Sequence, residues 1–312
     1  MMMQTILGSG GAIGNELAKS LKTYTTDIRL VSRNPKKVNE TDQLHPANLK
    51  NPAEVDNAIE GSDIVYITIG FEYNKKVWKQ TWVPFIKSVI EGCKKHKARL
   101  VFFDNVYMYD RDHLGNMKED TPIRPTSVKG HVRKEVAELI IKEIQAKNLK
   151  ALIARSADFL GTRNSVPVET IYKKLKKGKP ADIMASADKV HNYTWVPDAA
   201  EAVAILGNTP DAYNQVWHLP SIKEKLTAKE WIELFAAEID AKPKYRVLPI
   251  WMMGVLGVFV PIMKELKEMA YQYDRNYFFN SEKFEKRFGY KPKTAKEAIK
   301  ELVHKLENRS GA

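Results

Sequence analysis

The sequence predicts an α/β protein built on a doubly wound parallel sheet, and three observations support this prediction. Short β-branched runs alternate with longer amphipathic stretches through the first half of the chain. One run, residues 63–69 (DIVYITI), is apolar almost throughout, as strands are when helices cover both faces of their sheet. A glycine-rich stretch at 8–14 joins the first run to the amphipathic stretch that follows it. Strands and helices that alternate in this order form parallel sheets.

Each predicted element follows from its own hydrophobic pattern. Predicted strands lie at 4–7, 28–32, 63–69, 99–103, 151–154, 193–196 and 216–219. Predicted helices lie at 15–22, 52–59, 78–95, 129–147, 166–178, 198–206, 227–240 and 296–306. The helix at 78–95 has apolar residues at helical spacing, namely Trp78, Trp82, Phe85, Ile86, Val89 and Ile90. The helix at 227–240 opens with a capping signal, because Glu230 follows Thr227 by three residues.

The alternation of strands and helices loosens after Gly161, which suggests a division of the chain. Its 312 residues are 44% hydrophobic, enough for one large core or two modest ones. We expect a first domain at 1–161, to which 193–219 returns. A smaller C-terminal α/β lobe then covers 162–192 and 220–312. Since no low-complexity linker separates the two parts, we expect them to be intimately associated.

The charge of the chain favours anionic ligands without indicating nucleic acid. The formal net charge is +12 and the isoelectric point is about 9.4. The lysines are spread along the chain, and neither zinc-finger spacing nor an RNA-binding aromatic motif is present. We therefore expect no nucleic-acid partner, and a positive field that attracts phosphate-bearing ligands.

The sequence also predicts a cytoplasmic protein without a metal site or membrane partner. The single cysteine, Cys93, can form neither an intramolecular disulfide nor a thiolate metal site, and we interpret it as structural. The apolar run at 1–7 is too short for a secretory signal. The most apolar later stretch, 249–263, is too short to span a bilayer, so we expect it to form a buried helix or a pocket wall.

The strongest motif is the glycine loop GSGGAIG at 8–14, which follows the first strand and opens a helix. A dinucleotide needs a glycine for the tight turn, a second for close approach of the pyrophosphate, and a third for packing of helix against strand. The helix N-terminus adds unpaired N–H groups and a positive dipole end. The loop predicts a Rossmann-type first domain in which the coenzyme contacts are Gly8, Gly10, Gly11, Ala12, Ile13 and Gly14.

The end of the second strand favours NADP(H) over NAD(H), although NAD(H) stays open. NAD sites usually place an acidic residue there, to accept hydrogen bonds from the ribose hydroxyls. Here the strand ends in Ser32 and Arg33, with no acid. The planar guanidinium of Arg33 suits a 2′-phosphate, and Ser32 can donate a hydrogen bond. Alternatively, Arg33 is only a solvated surface residue.

Further motifs give the chain a family resemblance. They are GSGGAIG at 8–14, DIVY at 63–66 with Gly70, NVYMY at 105–109, RSADFLG at 155–161, YTWVPD at 193–198 and FGYKP at 288–292. With these motifs the chain resembles the atypical and extended short-chain dehydrogenases, the NAD-dependent epimerase/dehydratase group, over nearly its whole length. The resemblance implies a nicotinamide coenzyme, a coenzyme contact at Gly70 and a C-terminal substrate lobe.

The catalytic residues of that family do not carry over unchanged. The family pattern has a Ser or Thr, and a Tyr four residues before a Lys; the matching positions here hold Asn105, Lys129 and Arg133. Asn105 can donate to a carbonyl oxygen, and Arg133 can hold ribose hydroxyls or a phosphate. Lys129 could transfer the proton if burial and the nearby Arg133 disfavour its charged form. Tyr109 and Tyr107 are alternative donors. The competing interpretation is an exposed, non-catalytic Lys129–Arg133 pair on a helix.

The substrate side is less well defined by the sequence. The C-terminal part is rich in large side chains, namely Trp251, Met252, Met253, Leu256, Phe259, Met263, Met269, Tyr271 and Tyr273. They could line a pocket for a lipophilic or aromatic carbonyl compound, or they could be core residues. We predict an NADP(H)-dependent oxidoreductase acting on a small carbonyl-type substrate, with a non-catalytic dinucleotide sensor as the alternative. The resemblance also implies a homodimer formed through the helices at 78–95 and 129–147.

Overall fold

The computed structural model describes residues 2–257 and 259–310 as an α/β arrangement. Its strands are β1 (Gln4–Leu7), β2 (Ile28–Ser32), β3 (Gln43–Pro46), β4 (Ile64–Ile67), β5 (Arg99–Asp104), β6 (Ala151–Arg155), β7 (Phe159–Leu160), β8 (Ala181–Met184), β9 (Thr194–Trp195), β10 (Val216–His218) and β11 (Tyr245–Leu248).

The α-helices cover most of the segments that connect these strands. They are α1 (Ala12–Leu21), α2 (Pro52–Ile59), α3 (Lys75–His96), α4 (Val128–Gln145), α5 (Lys173–Leu175), α6 (Val196–Asn208), α7 (Ala228–Glu238), α8 (Ile250–Leu256), α9 (Pro261–Met269), α10 (Glu282–Phe288) and α11 (Ala295–Ser310). Short 3₁₀ turns lie at Arg111–Asn116, Pro210–Ala212 and Ala270–Gln272, and a π-helical turn lies at Val168–Tyr172.

The main sheet confirms the predicted fold class. Its strand order is β10-β6-β5-β4-β1-β2-β3, and every pairing in it is parallel. β1 pairs with β2 on one side and with β4 on the other, so the order of strands reverses between β1 and β4. In doubly wound sheets a ligand binds beside the carboxyl ends of the strands at this reversal. The glycine loop begins there.

The helical spacing in α3 is confirmed by the packing of that helix. Trp78, Trp82, Phe85, Ile86, Val89 and Ile90 are all buried. Asn74 caps the N-terminus, since its side chain accepts from the backbone N–H groups of Lys76 and Val77. The buried residues of α3 form one core with residues of β4, β5 and α4. This core positions the side chains at the carboxyl ends of the strands.

The chain divides into two compact units. The first holds 2–108, Val128–Arg155 and Ala199–Leu219, and therefore the main sheet. The second holds Tyr109–Ser127, Ser156–Asp198 and the described residues from Pro220 onward. The segment 109–127 thus belongs to the second unit, whereas the sequence-based division placed it in the first domain. Residues 156–161 and 193–198 differ from that division in the same way.

The second unit has its own core and two short parallel strand pairs, β7 with β9 and β8 with β11. Helix α7 opens with the predicted capping box, in which Thr227 and Glu230 exchange side chain–backbone hydrogen bonds. The predicted helix at 166–178 is helical over 166–175, and its central residues Val168–Tyr172 are π-helical rather than α-helical. The Thr170 hydroxyl donates to the Val166 carbonyl here, a local bond that competes with regular α-helical pairing.

The apolar stretch at 249–263 differs from its prediction. It forms α8 and the start of α9 rather than one buried helix, and Val258 lies outside the described residues. Trp251 is 67% exposed and Phe259 is 81% exposed, so the prediction of a buried helix or pocket wall is wrong. Glycine and proline interrupt the stretch and prevent a helix long enough to bury it. Within the described residues, no helix combines the length and apolar character needed to cross a bilayer.

Cys93 is fully buried in α3, and burial raises the pKa of its thiol far above the ordinary range. We expect the folded protein not to react with a thiol reagent such as 5,5′-dithiobis(2-nitrobenzoate) at about pH 8, where an exposed thiol reacts readily. The same sample in guanidinium chloride should release one equivalent of chromophore. Rapid reaction of the native protein would contradict this burial.

Candidate functional site

The glycine loop makes its turn through two residues with positive φ. Gly8 has φ +106° and Gly10 has φ +91°. The backbone N–H groups of Gly8 and Ser9 both donate to the carbonyl of Val31 at the end of β2, at 2.9 and 3.1 Å. A Cβ added to Gly8 would lie 2.4 Å from the backbone nitrogen of Ile69. The loop is therefore held between the ends of β2 and β4, and Gly8 leaves no room for a side chain.

The N-terminus of α1 is open to a ligand. Helix α1 begins at Ala12, Gly11 is its N-cap residue, and no side chain caps it. A Cβ on Gly14 would lie 2.8 Å from the carbonyl oxygen of Gly8, so the third glycine lets helix and loop pack closely. The first-turn N–H groups of a helix have no intrahelical acceptor, and they create a partial positive charge. Beside them, the buried Ser9 hydroxyl has no partner within the described residues.

The end of β2 carries the predicted Ser32 and Arg33. The Ser32 carbonyl accepts from Ala47 N–H, and its side chain is half-buried. Arg33 is exposed, and it forms no ion pair or hydrogen bond within the part of the chain that the structure describes. Gly70 lies in the loop after β4, and an added Cβ there would meet nothing within 4 Å. The steric requirement for glycine therefore applies at Gly8 and Gly14 but not at Gly70.

The Lys129–Arg133 pair of α4 is buried, with exposed fractions of 0% and 4%. The alternative of a solvated surface pair is therefore wrong. The helix turns this face inward because the amphipathic pattern of α4 also buries Val132 and Val136. Two cations one turn apart are costly to bury unless their charges are compensated.

Asp104, at the end of β5, compensates the charge of Arg133. The Nε and Nη2 atoms of Arg133 lie 2.8 and 2.7 Å from Oδ1 of Asp104. The Nε atom of Arg155 lies 3.4 Å from Oδ2 of the same carboxylate. Burial lowers the pKa of the Arg133 guanidinium, and the Asp104 carboxylate acts in the opposite direction. Arg133 was expected to hold ribose hydroxyls or a phosphate, but Asp104 engages it. Only its buried Nη1 lacks a partner among the described residues.

Aromatic rings surround both cations. The Arg133 guanidinium carbon lies 4.3 Å from the ring centre of Trp82 and 5.0 Å from that of Phe102. The Lys129 ammonium lies 4.5 Å from the ring centre of Tyr73. Rings at these distances stabilise a cation through their negative faces. Lys129 is therefore buried one helical turn from the Arg133–Asp104 ion pair, with its ammonium group over the Tyr73 ring.

Asn105 follows Asp104 in a tight turn. The Asn105 backbone N–H donates to Oδ1 of Asp104 at 2.9 Å. Oδ1 of Asn105 accepts from the backbone N–H of Tyr107 at 3.1 Å. This bond determines which end of the Asn105 amide is oxygen. The Nδ2 group of this half-buried side chain can therefore donate to a ligand.

The remaining candidate, Tyr109, belongs to the second unit. Its side chain is 1% exposed, and its backbone forms an antiparallel bridge with Ile123. The first unit thus holds Asn105, Lys129 and Arg133, while Tyr109 is placed by a different set of contacts.

The second unit contains a buried polar cluster that sequence reasoning missed. His191 Nε2 lies 2.9 Å from Oδ2 of Asp158, and the Tyr273 hydroxyl donates to the same oxygen at 2.9 Å. The His191 ring stacks between Tyr273 and Tyr277, with ring centres 4.5 and 4.3 Å apart. His191 is 3% exposed, and its Nδ1 has no partner within the described residues. His191 lacks metal-ligand spacing, and the only sequence signal was that Asp158 lies within the segment RSADFLG.

A pocket of the second unit lies beside this cluster. Its lining includes Thr170, Ser186, His191, Tyr273 and Arg275. Of the large side chains expected to line a substrate pocket, only Tyr273 does so here. Met253 and Met269 are buried, while Trp251, Leu256 and Phe259 are exposed. The large C-terminal side chains that were expected to line a substrate pocket therefore do not share one surface.

Comparisons with known proteins agree with this geometry. The family model described as "NAD dependent epimerase/dehydratase family" matches residues 5–218. No curated protein matches the chain.

Solved structures cover the whole fold at low sequence identity. UDP-glucose 4-epimerase from Thermus thermophilus, in complex with NAD, is 17% identical with a TM-score of 0.78 over 98% of this chain and 99% of that one. The dTDP-glucose 4,6-dehydratase DesIV from Streptomyces venezuelae, with NAD and TYD bound, is 14% identical with a TM-score of 0.79 over 99% and 98%. UDP-glucuronic acid 4-epimerase from Bacillus cereus, in complex with NAD, is 15% identical with a TM-score of 0.78 over 99% of both chains. At these identities the likeness shows the fold.

Proposed function

Because the chain belongs to the NAD-dependent epimerase/dehydratase family, we propose that it is an NADP(H)-dependent oxidoreductase that reduces a small carbonyl compound. One observation carries this proposal: the uncapped N-terminus of α1 follows a glycine loop whose tight turn leaves no room for a side chain at Gly8. Such a terminus offers N–H groups and a positive dipole end to a diphosphate. Three of the similar structures contain bound NAD, and this supports a nicotinamide coenzyme here as well.

The residues of the first unit fit a dinucleotide. We assign the diphosphate to the loop Gly8, Gly10, Gly11, Ala12, Ile13 and Gly14, with the Ser9 hydroxyl as an additional donor. Ser9 Oγ and Arg133 Nη1 are buried polar atoms without partners in the described part of the chain, and a bound ligand would satisfy such atoms. Gly70 would border the coenzyme from the loop after β4. The coenzyme, when bound, supplies the hydride.

We assign to Lys129 the role of proton donor to the substrate oxygen. We assign to Asn105 the polarisation of that oxygen. As the carbonyl carbon receives the hydride, its oxygen gains negative charge, and the Nδ2 group of Asn105 donates to it. The Lys129 ammonium gives a proton to this oxygen, which completes the alcohol, and neutral Lys129 then regains a proton from water. Arg133 is a positioning residue in this scheme, because it holds Asp104, which in turn fixes the backbone of Asn105. Tyr109 is the alternative proton donor.

For the second unit, we propose that its own pocket binds a polar small molecule. Its lining includes the Ser186 hydroxyl and the Arg275 guanidinium, whereas the Thr170 and Tyr273 hydroxyls already donate to the Val166 carbonyl and to Asp158. Donors of this kind orient a polar substrate, while the aromatic rings beside them exclude water.

Oxidation of NADPH with a panel of aldehydes, enones and quinones tests the proposal. We expect turnover on at least one class, with kcat/KM higher for NADPH than for NADH. Tight NADPH binding without turnover on any compound would instead support a dinucleotide-binding protein that does no chemistry. Absence of calorimetric heat with both coenzymes, on folded protein, would contradict the coenzyme site itself.

Arg33 is the proposed contact for the 2′-phosphate, and this gives a separate prediction. Arg33→Ala should weaken NADPH binding by about ten- to a hundredfold, the worth of one or two charge-assisted hydrogen bonds. NADH binding should change little, because NADH lacks that phosphate. Calorimetric Kd values for both coenzymes measure the difference. Lys36→Ala is the control for the general positive field, and an equal effect of both variants would contradict a specific contact.

A further inference from the structure

The exposed large hydrophobic side chains are concentrated in one short segment of the second unit. Within the described residues, eleven such side chains are exposed, and eight of them lie at 245–262. Six of the eight form what we call the apolar hairpin: Trp251, Val255, Leu256, Phe259, Val260 and Ile262. Contiguous exposed apolar patches of this kind mark interaction surfaces in folded proteins.

The apolar hairpin is a packed structural unit. Helices α8 and α9 approach closely through glycines, since a Cβ on Gly254 would lie 2.7 Å from the Lys267 ammonium. A Cβ on Gly257 would likewise lie 2.7 Å from Cγ of Lys264. On the inner side, Met253 and Met269 are buried. The two helices therefore turn one apolar face inward and leave a second one exposed.

The fully exposed charged side chains of α9 are lysines, and Glu268 of the same helix is half-buried. Lys264 and Lys267 are exposed, whereas Glu265, between them on α9, is buried. The preceding segment adds the exposed Lys242, Lys244 and Arg246, although Arg246 pairs with Asp182. The aliphatic stems of Lys264 and Lys267 lie along α8, which places their ammonium groups beside the apolar side chains. Exposed apolar side chains bordered by lysines are suited to a surface whose outer layer is anionic and whose interior is apolar. The lysines can contact the anionic groups while the apolar side chains enter the interior.

A second copy of the chain would suit this surface less well. In a two-fold contact the same patch faces itself, so the lysines of one copy would approach those of the other. The chain as a whole has a formal net charge of +12, which adds to that repulsion. An anionic lipid headgroup layer reverses the sign of this interaction and also accepts the tryptophan and phenylalanine side chains.

We propose that the apolar hairpin attaches the protein to the surface of an anionic lipid bilayer, with Trp251 and Phe259 inserted among the lipids. The attachment is peripheral, because the seven residues of α8 extend only about 10 Å, against about 30 Å for the hydrocarbon core. The expectation of no membrane partner rested on the lack of a spanning segment. A hairpin that lies in the interface does not need one. This inference is independent of the proposed catalytic activity.

Vesicle co-sedimentation of the full-length protein tests the attachment. We expect binding to vesicles of phosphatidylcholine mixed with phosphatidylglycerol, and weak binding to phosphatidylcholine alone. Trp251→Asp and Phe259→Asp should each weaken the binding by about tenfold or more, because each removes a large inserted side chain. The double variant Lys264→Glu, Lys267→Glu should weaken binding to the anionic vesicles only, and added salt should do the same. Leu44→Asp, at an exposed apolar residue of β3, is the matched control and should bind like the wild type.

Two outcomes would overturn the proposal. One is that the wild type does not bind anionic vesicles, or that Trp251→Asp and Phe259→Asp bind as it does. The other is that ultracentrifugation without lipid shows a dimer that Phe259→Asp dissociates, which would assign the apolar hairpin to a second copy. Melting temperatures, with and without NADPH, establish that each variant is folded before it is compared.

Discussion

Replacing Lys129 by methionine is expected to lower kcat by about a hundred- to ten-thousandfold, the usual contribution of a general acid. The ammonium is fully buried against the Tyr73 ring, so the change removes the proton donor while keeping most of the volume of the side chain. The variant must still be folded for this loss of kcat to report on chemistry. Steady-state NADPH oxidation measures kcat, and thermal unfolding establishes that the variant is folded.

The control for this prediction lies on the same helix. Lys134 is partly exposed and pairs with Glu138 at the surface, so Lys134→Met should keep both kcat and stability. A loss of kcat below about tenfold in Lys129→Met would contradict the assignment of the proton to Lys129. In that case Tyr109→Phe becomes the decisive variant, because Tyr109 is the alternative donor. The Kd for NADPH should stay close to that of the wild type in all three variants, which separates chemistry from binding.

The second large effect is expected at the glycine loop, where Gly8→Ala should abolish coenzyme binding. The new Cβ would lie 2.4 Å from the backbone of Ile69, and alanine disfavours the φ of +106°. The loop must shift, and we expect a loss of about 2–4 kcal/mol in the free energy of unfolding. Chemical denaturation and calorimetry with NADPH measure these two losses.

Gly11→Ala distinguishes loss of the coenzyme site from loss of the fold. A Cβ at Gly11 meets only the Gly8 carbonyl oxygen, at an ordinary 3.6 Å, so the free protein should keep its stability. If the diphosphate lies against this backbone, the added methyl group should still weaken NADPH binding by about tenfold or more. Unchanged binding in Gly11→Ala would contradict the proposed position of the diphosphate. Gly115→Ala, where an added Cβ meets nothing within 4 Å, is the neutral control.

Much of the first unit could be predicted because its signals are local. The strand at 4–7, the helical spacing of 78–95 and the capping box of Thr227 and Glu230 each depend on residues close in sequence. The edge strand β3 was not predicted, because it has no such local signal. Three of its four residues are exposed and it has no apolar alternation. It is a strand because β2 offers it hydrogen bonds, which no local pattern records.

Some features of the candidate site could likewise be predicted from the sequence, while others depend on contacts between distant residues. The glycine loop and the absence of an acid after β2 are visible in the sequence, and the positive φ of Gly8 gives them their physical meaning. The burial of Lys129 and Arg133 was not visible, because the same i, i+4 spacing suits a solvated helix face equally well. The charge of the buried Arg133 is compensated by Asp104, which lies 29 positions earlier in the chain. The contact of Tyr273 with Asp158 joins residues 115 positions apart.

By itself, the sequence determined the parallel sheet, the order of its main elements and the dinucleotide loop, because hydrophobic period and glycine conformation act over a few residues. Only the tertiary structure decided which polar groups are buried together and which apolar residues stay exposed. It buried Lys129 against the Tyr73 ring, brought Asp158, His191 and Tyr273 together, and left Trp251 and Phe259 on the surface. The physical reason is that burial depends on the packing of distant segments, and composition alone cannot specify that packing.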